Sequence, residues 1–234
     1  MRQTQGRPKQ GRQTTKGMTM AKAIVFDLDG TLIDSAPDLH VALNTTLIAE
    51  GVAPVTLAET IGFIGHGIPQ LVNQARAFRG IDPARQEGMV GAMFAAYLAK
   101  PSALTQPYPG AVACLQGLRE RGFAIGLCTN KALAPTLDIL KDLDLAQYFD
   151  HVTGGDSLAQ KKPDPAPLLA CFNALGAPVL YVGDSEVDAQ TAANAGLRFA
   201  LYTQGYRRTP VDQLPQDFAF AEFGDLIRYI DGLD

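Results

Sequence analysis

The sequence predicts an α/β protein: a doubly wound parallel sheet, interrupted near its start by an all-helical insertion. Three observations predict it. From Gly110 onward, short apolar runs alternate with helix-period segments, which is the βαβ pattern of a parallel sheet. A similar run, Ala23–Phe26, stands alone near the N-terminus, and about 70 residues of helical character separate it from the others. Each strand-like run then ends in polar or charged residues, as expected where strand ends gather at one ligand-binding edge.

Composition bounds the reading. With 234 residues, 47% of them apolar and 8% aromatic, the chain can build one large domain or a core with an insertion. The three cysteines, Cys114, Cys128 and Cys171, are odd in number and have no CxxC spacing. That argues against a disulfide framework or a zinc site and points to a reducing cytoplasm. No uncharged apolar run approaches the length of a membrane span, and none resembles the apolar core of a signal peptide. Six of the 20 Lys and Arg fall in residues 1–22 with no acid among them; the remaining 14 face 24 acids, a formal charge of about −10. An acidic body opposes nucleic-acid binding. Residues 1–20, basic and rich in Gln, Thr and Gly, read as a disordered tail.

Taken in order, Ala23-Ile24-Val25-Phe26 reads as a buried strand that stops on Asp27, Asp29 and Gly30. Pro37 suits a first helical turn, and Leu39, Leu43, Leu47 and Ile48 recur at helix spacing until Gly51–Pro54 ends the element. Ile68–Phe78 and Arg85–Leu98 are amphipathic helices, and Gly62, Gly65 and Gly67 mark a flexible or tightly turned loop before them. After Pro107-Tyr108-Pro109-Gly110 come the helix Ala111–Arg121 and the strand Phe123–Cys128. The helix Leu133–Leu143 precedes a strand at His151–Thr153, and the helix Pro165–Leu175 precedes one at Val179–Val182. The helix Val187–Ala195, the strand Phe199–Tyr202 and a helix near Glu222–Ile230 complete the pattern. The expected organisation is therefore a tail (1–20), an α/β core (21–33 and 108–234) and a helical cap (34–107).

The strand ends carry the chemistry. The first delivers Asp27 and Asp29, which in an extended chain point the same way and repel unless a cation or a shared proton intervenes. The second delivers Thr129 and Asn130. Gly154-Gly155-Asp156, with Lys161 and Lys162 beyond, follows the third, and Asp184-Ser185-Glu186-Val187-Asp188 follows the fourth. Acids that can hold a cation, beside a hydroxyl, an amide and a lysine that can hold an anion, are equipment for phosphoryl transfer.

These residues resemble the motifs of the haloacid dehalogenase superfamily in that family's order: DxDGT at Asp27–Thr31, the strand-end Thr129, Lys162 in a KPxP setting and GDxxxD ending at Asp188. The insertion after the first motif resembles the family's C1 cap. Within the superfamily, Asp34–Leu39, Gly154–Leu158 and Lys162–Pro165 resemble the phosphoglycolate phosphatase group. The resemblance implies a phosphoric monoester hydrolase in which Asp27 is the nucleophile and forms an aspartyl-phosphate, while Asp29 is the general acid and base. Thr129, Asn130 and Lys162 would hold the phosphoryl oxygens. Mg2+ would be held by the Asp27 and Asp184 side chains and the Asp29 carbonyl, with Asp188 behind them. The substrate it implies is a small phosphate ester, 2-phosphoglycolate first, acted on by a cytoplasmic monomer or homodimer.

Other readings stand beside this one. A sugar-phosphate phosphatase and a pyrophosphatase would use the same motifs. In a β-phosphoglucomutase the histidine leading into the cap would fall at Leu39, and His40 is one position off. A dehalogenase has no use for Asp29, because no alkoxide needs a proton. Phe63 and His66 stand where phosphoglycolate-group relatives often carry Trp and Asn; His66 is the expected cap contact to substrate, with solvent exposure as its alternative. Met93, Phe94 and Tyr97 are expected to pack inside the cap, Lys161 to be a solvated cation, and Asp156 either to cap a turn or to meet the chemistry.

Overall fold

The computed structural model describes residues 21–99 and 102–233; the tail expected at 1–20 lies outside the described residues. In chain order the first elements are β1 (Lys22–Phe26), β2 (Ile33–Asp34), α1 (Ala36–Ala49), α2 (Leu57–Ile61), α3 (Ile68–Phe78), α4 (Gln86–Ala99) and β3 (Gln106–Pro107). The α/β part follows with α5 (Ala111–Glu120), β4 (Ala124–Cys128), α6 (Leu133–Asp142), β5 (His151–Thr153) and α7 (Ala166–Leu175). It closes with β6 (Ala177–Gly183), α8 (Glu186–Ala195), β7 (Phe199–Tyr202), β8 (Phe218–Phe220) and α9 (Phe223–Asp231).

Six strands form one parallel sheet in the order β5-β4-β1-β6-β7-β8. β1 therefore lies between the two halves of the sheet, at the place where the strand order reverses and where open α/β sheets bind ligands. Its side chains alternate between two cores. Ile24 and Phe26 join α5, α6 and α9 on one face, and Ala23 and Val25 join α7 and α8 on the other. Burial on both faces explains why β1 is apolar at four consecutive positions. The first of those cores continues without a break into the cap, through Leu39, Leu43, Leu71, Met89 and Met93.

A two-stranded antiparallel ribbon, β2 with β3, pairs Ile33 with Pro107 and Asp34 with Gln106, so the chain leaves the sheet for α1–α4 and returns at the same place. Asp38 in the first turn of α1 locks this junction: its Oδ2 accepts from the Thr105 amide (2.8 Å) and hydroxyl (2.6 Å). Three features escape pattern reading. The ribbon is only two residues per strand, α2 is one short helix held by a Thr56–Glu59 capping box, and β8 is three residues long. Ile48, expected on the buried stripe of α1, is 61% exposed.

α7 lies close against the sheet because β4 carries Gly126: a Cβ there would stand 2.5 Å from Leu175 Cδ1 and 2.7 Å from Cys171 Sγ. Gly126→Val should overpack this face and lower stability by about 1–3 kcal/mol. The urea unfolding midpoint measures it, and an unchanged midpoint would show that α7 can move away without cost.

Candidate active site

The strand ends meet above the middle of the sheet. After β1, the Asp27 amide still donates to the Val182 carbonyl (2.8 Å), but the chain then turns. The Leu28 carbonyl accepts from Thr31, Leu32 and Ile33, and Gly30 adopts φ +87°, where a Cβ would stand 2.5 Å from Asp184 Oδ2. The extended geometry expected for Asp27 and Asp29 therefore ends at Leu28. Each acid also has its own cation. Asp27 Oδ1 lies 2.9 Å from Lys162 Nζ, and the two Asp29 oxygens lie 3.0 and 2.9 Å from Lys131 Nζ. The Ser35 hydroxyl donates to Asp29 as well (2.5 Å).

Asp184 and Asp188 come from the β6–α8 turn. Ser185 and Asp188 form a capping box that starts α8, which fixes Asp188 beneath the strand end. Lys162 Nζ donates to Asp188 (2.6 Å) and to the Tyr181 hydroxyl (2.9 Å), and that hydroxyl lies 2.6 Å from Asp188. Asp184 accepts from the Thr31 hydroxyl (2.8 Å) and from the Tyr206 amide (2.7 Å).

The β4 end supplies Thr129, whose hydroxyl accepts from the Lys131 amide (3.2 Å), and Asn130. The Asn130 side chain is fully engaged: it bonds both the amide and the carbonyl of Lys162 (3.0 Å each) and the Gly65 carbonyl of the cap (3.1 Å). Only its backbone amide is left to face a phosphoryl oxygen. Gly154-Gly155-Asp156 acts as a clamp on this segment. The Gly155 amide donates to the Lys131 carbonyl (2.7 Å), a Cβ on Gly155 would stand 2.2 Å from the Asn130 oxygen, and Asp156 accepts from the Leu133 amide at the start of α6. Asp156 thus caps the start of α6 and also lines the cavity that holds Asp27 and Asp29.

Two cavities of about 230 Å³ each meet at Asp27 and Asp29. One is lined by Thr129, Lys131 and Lys162 below and by Leu39, Phe94 and Tyr97 of the cap above. Phe94 and Tyr97 thus do more than pack the cap, whereas Met93 is fully buried. Lys161, exposed as expected, is at the rim. The other cavity is lined by Asp184, Glu186, Arg208 and the exposed His66. His40 bonds Thr60 (2.9 Å) inside the cap and does not line either cavity. Lys131, Ser35, Tyr181 and Tyr206 are site residues that sequence reasoning misses. Lys131 has a signal, because it directly follows Thr129 and Asn130 at a strand end; Tyr206 has none.

Electrostatics point to a cation. Burial pushes the Asp27 carboxyl up to about 7, although Lys162 pulls the other way. Burial and the charges of Asp188 and Asp27 push Asp184 up strongly. Burial also works against ionised Asp188, but Lys162, Ser185 and Tyr181 outweigh it and hold this acid below its ordinary value. Three buried carboxylates thus face one ammonium. Oxygens of Asp27, Asp184 and Asp188 lie within 4.8 Å of one another, and the Lys162 ammonium at Asp27 Oδ1 (2.9 Å) is the one cation beside them among the described residues. An all-oxygen donor set with more negative charge than its lysine can balance fits a hard divalent cation such as Mg2+.

Comparison with known proteins places the chain as a whole. The family model described as haloacid dehalogenase-like hydrolase matches residues 21–196. A phosphoglycolate phosphatase of Cereibacter sphaeroides is 54% identical over 211 residues, 88% of this chain and 97% of that protein. One of Rhodobacter capsulatus is 43% identical over 218 residues, 91% and 98% of the two chains. The crystal structure of a predicted phosphoglycolate phosphatase from Haemophilus somnus superposes with a TM-score of 0.85 at 28% identity, covering 91% of this chain and 99% of that one. Among the described residues, no helix is long and apolar enough to cross a membrane.

The raised acids make a pH prediction. A carboxyl lifted from 3.8 to about 7 on folding contributes stability that is complete below 3.8 and lost as the pH climbs through about 7. Asp184 shifts in the same direction and Asp188 in the opposite one. In chelator, Tm should therefore fall between about pH 5.5 and about pH 8. Magnesium in hundredfold excess over its Kd should raise Tm by about 5–10 °C near pH 8 and by less near pH 5.5. Differential scanning calorimetry measures both; an equal shift at the two pH values would place the ion elsewhere.

Proposed function

The chain belongs to the haloacid dehalogenase-like hydrolases, and from that premise we propose that it hydrolyses 2-phosphoglycolate to glycolate and phosphate through an aspartyl-phosphate on Asp27. The convergence of Asp27, Asp29, Thr129, Lys162 and Asp184 on one strand edge carries this reading. The relatives named above supply the substrate.

The roles follow from the contacts. An Asp27 oxygen attacks phosphorus; the new P–O bond forms as the ester P–O bond breaks, and the departing alkoxide takes a proton from Asp29. Asp29 then takes a proton from water, the water oxygen attacks phosphorus, and the P–O bond to Asp27 breaks. Ser35 and Lys131 keep Asp29 at its station through both halves. Lys162, already against Asp27, and the Thr129 hydroxyl offer donors to the phosphoryl oxygens, as does the Asn130 backbone amide. The Asp27 and Asp184 side chains and the Asp29 carbonyl would hold Mg2+, which supplies positive charge against the phosphoryl group when bound. Asp188 does not need to touch that ion, since Lys162, Tyr181 and Ser185 use both its oxygens.

A panel of phosphomonoesters, assayed with magnesium and again in EDTA, tests the reading. Phosphoglycolate should show the highest kcat/KM, and activity should disappear in chelator. Preference for a sugar phosphate would reassign the substrate, and undiminished activity in EDTA would remove the metal. Asp27→Asn should retain the fold and lower kcat by about 10⁴-fold or more, since it keeps the shape and loses the nucleophile. Asp29→Asn should slow both formation and breakdown of the intermediate by about 10²–10⁴-fold, read by rapid quench with a poor leaving group. Rates near wild type in that assay would assign the proton to another residue.

A further inference from the structure

The first cavity contains a pair of groups, Lys131 and Tyr97, to which the proposed reaction gives no contact with substrate. Lys131 comes from the end of β4 and keeps 8% side-chain exposure, and both of its hydrogen bonds go to Asp29. An ammonium has three N–H donors, and the polar group beside the remaining one is the Tyr97 hydroxyl. It stands 5.0 Å from the centre of the Tyr97 ring, on α4 of the cap. Tyr97 is 2% exposed, lines the same cavity, and its buried hydroxyl has the Lys131 ammonium beside it but no acceptor for its own proton. A buried O–H without an acceptor is costly, which marks it as a place where one belongs. A lysine from the core and a hydroxyl from the cap therefore face one small space.

We propose that Lys131 and Tyr97 form the recognition site for a carboxylate on the leaving group, the ammonium supplying charge and the Tyr97 hydroxyl a directed hydrogen bond. The proposal rests on the reading in which Asp29 protonates the departing oxygen. In phosphoglycolate a single methylene carbon separates the ester oxygen from the carboxylate carbon. Residues that serve those two groups must then be neighbours, and Asp29 and Lys131 are in contact at 2.9 Å. The surrounding Leu39, Ile68, Leu71 and Phe94 make this part of the wall apolar, which strengthens attraction between an ammonium and a carboxylate. Other cations are badly placed to hold that carboxylate, since Lys161 is exposed at the rim and Arg208 lines the other cavity beside Asp184. The contact expected of His66 passes to Lys131, because His66 is exposed and lines that second cavity.

The test compares 2-phosphoglycolate with 2-hydroxyethyl phosphate, which puts a neutral hydroxyl where the carboxylate would be. Lys131→Gln should lower the ratio of their kcat/KM values by about a hundredfold, and Tyr97→Phe, which keeps the ring and its packing, by about tenfold. Glycolate should competitively inhibit hydrolysis of 2-hydroxyethyl phosphate by the wild type, and each variant should weaken that inhibition. Equal losses on both substrates would mean that Lys131 only holds Asp29, and an unchanged ratio in Tyr97→Phe would remove the hydroxyl; either result overturns the paired site. If the wild type hydrolyses 2-hydroxyethyl phosphate but ignores phosphoglycolate, the substrate reading fails by itself. Inhibition by glycolate and lactate, lost in the variants, then still establishes the carboxylate site, and its absence in the wild type refutes the site too.

Discussion

The structure depends on one buried ammonium. Lys162 Nζ sits among Asp27, Asp188 and the Tyr181 hydroxyl, with its side chain 2% exposed. Burying that charge is costly, and only the surrounding acids make it tolerable; burying those acids is equally costly without the lysine. Burial alone would favour a neutral amine, yet Asp188 and Asp27 hold Lys162 charged well above its ordinary range. The geometry is enforced from the backbone outward. Asn130 grips the amide and carbonyl of Lys162, the Gly154–Gly155 turn presses against Asn130, and the α8 capping box holds Asp188 in place. Three strand ends are thereby tied to one charge, and any group that attacks phosphorus does so from a position this charge helps to fix.

What remains is an imbalance of sign. Lys162 neutralises one of the three acids within reach, and Asp29 has Lys131 to itself. Burial first, and then the neighbouring carboxylates, raise Asp27 and Asp184, so ionising both calls for more positive charge than Lys162 supplies. A site assembled this way suits a divalent ion and a phosphoryl group as a matter of charge, before any question of which ester is presented.

Much of this is legible in the sequence because periodicity and strand-end chemistry are local. β1, β7, α3 and the α/β alternation follow from patterns a few residues long. Asp27, Thr129 and Asp184 announce themselves as polar residues at the ends of apolar runs, and Lys162 by standing shortly beyond the third of those ends. The two-residue ribbon, α2 and β8 do not, because elements so short have no period to read. The turn after Leu28 depends on Gly30 nestling against Asp184, a contact across more than 150 positions of the chain. Tyr206 escapes for the same reason. It joins Asp184 to the cap junction, accepting from the Ser35 and Ala36 amides and donating to Asp34, and nothing near it in the chain hints at either partner. Lys131 is easily passed over although it stands beside a recognised motif, because the charge it neutralises lies 102 positions away.

The division of labour between core and cap follows from how the two are joined. At the junction the ties are several and buried: Asp38 holds Thr105, Tyr206 holds Ser35 and Ala36, and Ser35 reaches Asp29. At the far side, over the cavity, the cap loop meets the core through the hydrogen bond from Asn130 to the Gly65 carbonyl and the close approach of Gly67 to the Asn130 oxygen. One such hydrogen bond contributes about 1 kcal/mol net, far less than the junction as a whole. The hydrogen-bonded ties between cap and core are thus concentrated beside Asp29 and sparse beside Lys162. The contacts that place Asp27, Asp184 and Asp188 all belong to the core. The cap contributes the wall formed by Phe94 and Tyr97. Groups that serve every phosphomonoester thus come from the core's strand ends, while the wall facing the leaving group is shared between Lys131 of the core and Phe94 and Tyr97 of the cap.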